Sequence, residues 1–203
     1  TTEALLADPT AGSFTVSGTA ANVGALVPVV TKLDATTYTV TITPLTSGSV
    51  TGDGTIALSM AAGRVRDLLG NASSASSSTD ATVTYDGTLP VLSLTQAAGQ
   101  ADPTTGSTIR FTLSSSEALD ASSVTGADFT LTNGTVAAID CTASTCTITV
   151  GATGQGAVTI AASGTFAVAD LAGNAATTAG GADRSVTYDT VAPTLTLAQA
   201  AAQ

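Results

Sequence analysis

Fifteen acidic side chains face five basic ones in this 203-residue chain, and there is no histidine. That balance decides which chemistry is open. Without histidine, the commonest general base and the commonest imidazole metal ligand are both missing. Serine and threonine are abundant, but no hydroxyl has a base to activate it. A paired-carboxylate hydrolase needs aromatic platforms for its sugar, and three tyrosines and four phenylalanines spread over the chain do not supply them. The chain is therefore expected not to be an enzyme. What carboxylates can still do is hold a hard cation, and Ca²⁺ accepts roughly six to eight oxygens with little geometric demand. The candidates are Asp86, Glu117, Asp120 and Asp170, with Glu3 and Asp67 as a second set.

The two cysteines are the other reactive pair. Cys141 and Cys146 enclose Thr-Ala-Ser-Thr, a spacing that suits a local disulfide across a hairpin turn and hence an oxidising compartment. Two unpaired thiols are the alternative; a zinc site lacks the second pair it needs. The five cations (Lys32, Arg64, Arg66, Arg110, Arg184) leave no electrostatic footprint for nucleic acid or anionic lipid. Apolar runs such as Ala25–Val30 are too short to insert in a membrane. No signal-peptide pattern opens the sequence, so any export signal is expected outside it.

These residues must be positioned by something, and the sequence repeats itself. Asp67-Leu-Leu-Gly-Asn71 returns as Asp170-Leu-Ala-Gly-Asn174, and Val83-Thr-Tyr-Asp86 as Val186-Thr-Tyr-Asp189, both at an offset of 103. Pro90 matches Pro193, and Leu92-Ser-Leu94 matches Leu195-Thr-Leu197. Upstream, Glu3-Ala-Leu5 matches Glu117-Ala-Leu119 and Ser13-Phe-Thr-Val16 matches Asp128-Phe-Thr-Leu131, at offsets of 114 and 115. The first copy is thus longer by 11 residues, with the surplus placed mainly around 20–31 and 47–54. A period this long means tandem domains, not a solenoid.

Within a copy, apolar residues alternate with threonine and serine at period two, between turns rich in Gly, Asn and Asp. In the second copy this predicts strands over 91–96, 108–113, 129–132, 136–140, 146–150, 157–161 and 185–188. No sustained 3.6-residue period predicts a helix. The expectation is all-β: tandem immunoglobulin-like β-sandwiches of Greek-key connection, the first lacking its first two strands. The domains are expected at 1–87 and 88–190, with 191–203 as linker and first strand of a following repeat.

The combination of Glu-Ala-Leu, Phe-Thr before a turn, Asp-x-x-Gly-Asn and Thr-Tyr-Asp-x-x-x-Pro resembles the bacterial Ig-like domains repeated in large surface adhesins. It covers nearly the whole chain twice; the first copy departs at Tyr85-Asp-Gly-Thr-Leu-Pro90. The resemblance implies an extracellular or cell-surface location and a structural or adhesive role as spacer or stalk. Its partners would be neighbouring copies of the repeat, or a host or matrix ligand. Because residue 1 matches Ser115 and 193–203 match 90–100, two readings of the ends stay open. One is a window of a longer repeat protein; the other is a filament or surface-layer subunit joined by strand exchange. A carbohydrate-binding module is a further alternative.

On such a sandwich the turn holding Glu117, Asp120 and Asp128 lies at the same end as Asp170–Asn174. The incoming linker carries Asp86 to that end. Ca²⁺ would relieve the repulsion, as in calcium-stiffened adhesin repeats that this chain is similar to. Alternatively, Asp170 closes an Asx turn and Gly173 supplies positive φ. Glu3, Asp67 and Asn71 are the counterparts in the first copy, and Asp189 repeats Asp86. Phe14 and Phe129 are expected as core anchors, and Tyr85 and Tyr188 at domain edges. Asn71-Ala-Ser73 and Asn133-Gly-Thr135 fit the glycosylation sequon.

Overall fold

A computed structural model describes residues 1–42 and 52–199. The chain is all-β, built of antiparallel sheets with only short 3₁₀ turns among the described residues. It divides into two compact units, Thr1–Thr88 and Leu89–Gln203. No described helix is long and apolar enough to cross a membrane.

The second unit contains β6 (Leu92–Gln96), β7 (Thr108–Ser115), β8 (Phe129–Thr132), β9 (Gly134–Thr142), β10 (Thr145–Ala152), β11 (Gly156–Ala162) and β14 (Ser185–Tyr188), plus the two-residue pair β12 (Val168–Ala169) and β13 (Ala175–Ala176). One sheet runs β6-β7-β10-β9 and the other β14-β11-β8. Successive side chains of a strand point to opposite faces, so the period-two pattern lines one face with Leu92, Leu94, Ile109, Phe111, Leu113, Cys146, Ile148 and Val150. Phe129, Val158, Ile160 and Val186 come from the second sheet, and all of these share one buried core. Phe129 meets Phe166 edge-on at 6.2 Å between ring centroids, a favourable aromatic geometry. This is a sandwich-like arrangement. Several strands exceed the expected bounds: β7 continues to Ser115, β9 spans Gly134–Thr142 and β10 spans Thr145–Ala152. The β9–β10 ladder slips by one residue between Thr149 and Val150, a bulge on the edge strand.

The first unit contains β1 (Thr15–Ser17), β2 (Pro28–Lys32), β3 (Tyr38–Ile42), β4 (Gly54–Ser59) and β5 (Thr82–Tyr85). Its sheet β1-β4-β5 has the order of β8-β11-β14, and the register is the same. Val16 pairs with Leu58 as Leu131 pairs with Ile160; Gly54 pairs with Tyr85 as Gly156 pairs with Tyr188. The β2–β3 hairpin likewise corresponds to β9–β10. Among the described residues nothing corresponds to β6 or β7. The consequence is a small core of Ala20, Leu26 and Ile56, with Val16, Val23, Ile42 and Tyr85 packed against it. Phe14, expected as a core anchor, is only half-buried, because among the described residues no second apolar sheet faces it. The residues around 20–31, set aside in the sequence as turn-rich surplus, instead supply Ala20, Leu26 and strand β2. The rest of that surplus, at 47–51, lies outside the described residues.

Candidate metal centre

The Asp-x-x-Gly-Asn loops are built the same way in both units. In the second, Asp170 Oδ1 accepts the backbone N–H groups of Ala172 (2.8 Å) and Asn174 (2.9 Å), and Oδ2 accepts the Asn174 side-chain amide (2.9 Å). In the first, Asp67 accepts from Leu69 N (2.9 Å), Asn71 N (2.8 Å) and Asn71 Nδ2 (2.7 Å). Gly173 and Gly70 both adopt left-handed backbone, φ 92° and 88°, where a Cβ is strained. An isolated bridge ties each loop to its turn, Leu119 to Asp170 and Leu5 to Asp67. The loop is therefore a self-sufficient Asx turn.

Electrostatics follow from that bonding. Burial pushes the Asp170 carboxyl up, but the Asn174 amide and the backbone N–H groups of Asn174, Ala172 and Gly173 favour the charged form. The balance leaves it below the ordinary carboxylate range. Asp67 is lowered in the same way, led by the side-chain and backbone groups of Asn71.

The two carboxylates of the second unit expected to meet do so. Glu117, half-buried, and Asp170, only 2% exposed, bring one oxygen each within 4.8 Å of one another. Two acidic groups this close, one of them buried, could hold a metal ion. Asp86 belongs to the first unit, in the segment that leaves β5, where its carboxylate accepts the N–H of Thr88 (3.1 Å). Asp120 is used otherwise than expected: its Oδ1 accepts the N–H and hydroxyl of Ser122, capping a 3₁₀ turn. Asp128 closes a capping box with Thr125. Within the first unit, Glu3 is exposed and no three acidic groups converge among the described residues; a cleft of about 460 Å³, of mixed polar and apolar lining, lies beside Glu3, Asp67 and Ser76.

Cys141 and Cys146 form the expected disulfide, directly opposite one another across the β9–β10 hairpin. Neither sequon asparagine has an idle side chain. Asn71 Nδ2 donates to Asp67, and Asn133, itself at φ 59°, donates to the carbonyls of Gly154 and Gln155.

Two features escaped the sequence reading. Asp53 accepts the Gly87 N–H (2.9 Å) and the Thr88 hydroxyl (2.8 Å), fixing the segment that follows β5. At the same place in the second unit, Gln155 accepts the Thr190 N–H (2.9 Å) and donates to the Thr190 hydroxyl, fixing the segment that follows β14. The available signal was position: each directly precedes the glycine that opens a strand, Gly54 or Gly156. The second feature is the cluster of Lys32, Asp8 and Tyr38, in which Lys32 reaches Asp8 at 2.6 Å and lies 5.6 Å from the Tyr38 ring centre. No family model, curated protein or solved structure matches the chain.

Proposed function

We propose that the chain is an extracellular structural or adhesive repeat module, an immunoglobulin-like spacer or stalk of a large bacterial surface protein. The observation that carries this reading is duplication down to the outgoing segment. Each unit has the same three-stranded sheet in the same register, the same Asx loop, and a side chain, Asp53 or Gln155, holding the residues that leave its last strand. A repeat that fixes the direction in which the next residues depart suits a spacer. The disulfide favours an oxidising compartment. The chain has no histidine, and carboxylates that accept hydrogen bonds from hydroxyls, such as Asp120 from Ser122 and Asp128 from Thr125, cap turns, which suits a packing role.

Calcium is the proposed ligand of Glu117 and Asp170. Asp86, tethered three residues ahead of Leu89, is the proposed third carboxylate. Thermal unfolding with Ca²⁺ and with chelator tests this. A cation that binds only the folded chain stabilises it by about 2.7 kcal/mol at a hundredfold excess over Kd. The expected result is a higher Tm in Ca²⁺ that Asp170→Ala abolishes and Asp86→Asn reduces. Identical melting curves overturn calcium, and an undiminished shift in Asp86→Asn removes that residue from the site.

A second reading, assembly by strand exchange, is favoured by one observation. Leu195 and Leu197 are 90% and 103% exposed, although they repeat Leu92 and Leu94, which are buried. Mass measured over a range of concentrations separates the two: a stalk stays monomeric, and a strand-exchanging subunit forms ladders.

A further inference from the structure

We infer that the second unit is built to bear tension along the chain, through a clamp where its first strand and its last segment run side by side in the same direction. The inference rests on the stalk reading and specifies what the stalk unit does under load. All strand pairings in the unit are antiparallel, with two exceptions among the described residues: Ser93 with Gly180, and Thr104 with Tyr188. At the first, Leu94 N–H donates to the Gly180 carbonyl (2.8 Å), Gly180 N–H to Leu92 (2.9 Å), and Gln96 N–H to Asp183. At the second, Thr104 N–H donates to Thr187 (2.8 Å) and Asp189 N–H to Thr104 (2.9 Å), while the Asp102 carboxylate accepts the Thr187 N–H (2.9 Å).

Direction is what matters. The chain enters the unit at Leu92 and leaves it at Asp189, and the segments carrying these ends lie parallel. Pulling on the two ends therefore slides one segment along the other. Every hydrogen bond between them is loaded at once, whereas an antiparallel pair pulled at adjacent ends opens one bond at a time. Sliding must also drag Leu92 and Leu94, 4% and 0% exposed, through the core. The close approach is specified by one residue. Gly181 has φ +121°, and a Cβ there would fall 1.9 Å from the Leu94 carbonyl oxygen. No other residue type lets the segment lie against β6. The first unit has no parallel bridge among its described residues.

The test is single-molecule pulling on the full 203-residue chain, oxidised, at constant force. Forced unfolding reads the unfolding rate, and the unit is recognised by a length gain of roughly 3.3–3.6 Å per residue released. With handles at the two ends of the chain the clamp is sheared. With the N-terminal handle moved to Thr105→Cys, an exposed position just past Thr104, the load peels both parts of the clamp instead. The second unit is expected to survive longest in shear and to open sooner in the peeling geometry. Asp102→Ala removes one hydrogen bond and should shorten the shear lifetime about fivefold. Gly181→Ala should shorten it further, and neither variant should alter the peeling lifetime as much. Equal lifetimes in the two directions, or a shear lifetime unmoved by Asp102→Ala, overturn the clamp. Either result leaves the stalk reading standing, whereas concentration-dependent ladders overturn the stalk reading without equalising the two directions.

Discussion

Val83 and Val186 occupy the same place in the same pairing, opposite Ile56 and Val158, yet Val83 is 67% exposed and Val186 fully buried. The two units share a sheet, a register and a loop, and differ in what faces that sheet. In the second unit β6 and β7 supply Leu92, Leu94, Ile109, Phe111 and Leu113 to the other side of the core. In the first unit Ala20 and Leu26 are the buried substitutes. Local pairing is therefore set by local sequence, and burial is set by the rest of the unit. The contrast extends to the hairpins. Tyr38-Thr-Val-Thr-Ile42 and Cys146-Thr-Ile-Thr-Val150 carry the same pattern, and their first residues face Lys32 and Cys141 across the hairpin. One hairpin is closed by a covalent bond; in the other Lys32 lies over the Tyr38 ring, and both side chains reach Asp8 outside the hairpin.

The largest expected difference lies in the cores. Ile148→Ala removes a fully buried side chain and should lower the stability of the second unit by about 2–5 kcal/mol. Val40→Ala, at the matching place in β3, removes a half-buried one and should cost the first unit clearly less. Urea unfolding of the full chain, read as separate transitions, checks both; equal losses would break the contrast.

Next comes the hairpin closure. Replacing Cys141 and Cys146 by serine should destabilise the second unit by about 2 kcal/mol, the chain-entropy value for so short a loop. Lys32→Ala should shift the first unit only slightly, and the shift should disappear in high salt, as exposed ion pairs do. A salt-insensitive loss at Lys32 would show that the aromatic contact with Tyr38, not the charge, closes the hairpin.

The smallest effect is that of acid. Asp170 and Asp67 both have lowered folded-state pKa values. Each then contributes stability that is fully present above the unfolded carboxylate pKa, about 3.9, and that fades as pH falls through the lower folded value. Asp170→Asn and Asp67→Asn should therefore lower Tm at neutral pH and converge on the parent chain in strong acid. A constant difference across the titration would mean that the carboxylate charge is irrelevant to the loop.

Much of this was legible in the sequence for physical reasons. Alternation fixed which face of β7, β10 and β11 is buried, since a one-residue slip would turn every side chain over. The motif pairs at an offset of 103 announced identical loops, and the cysteine spacing announced the hairpin. Strand ends were less legible: Ser114 and Ser115 extend β7 by pairing with Ser93 and Leu92, but serines carry no burial signal. Leu26 reads as part of a turn-rich stretch because its burial depends on which strands are present. Asp53 and Gln155 act on residues 35 positions away, a relation no local pattern encodes. Asp120 looked like a cation ligand because its role as a cap uses the same oxygen.

The bulge in β9 has a consequence beyond its own unit. A nine-residue edge strand offers a row of open backbone groups to any copy that drifts alongside. The slip opposite Thr149 and Val150 interrupts that row midway, and Asp140 sets a negative charge on its far half. The strand is thereby a poorer template for pairing along its whole length with another edge.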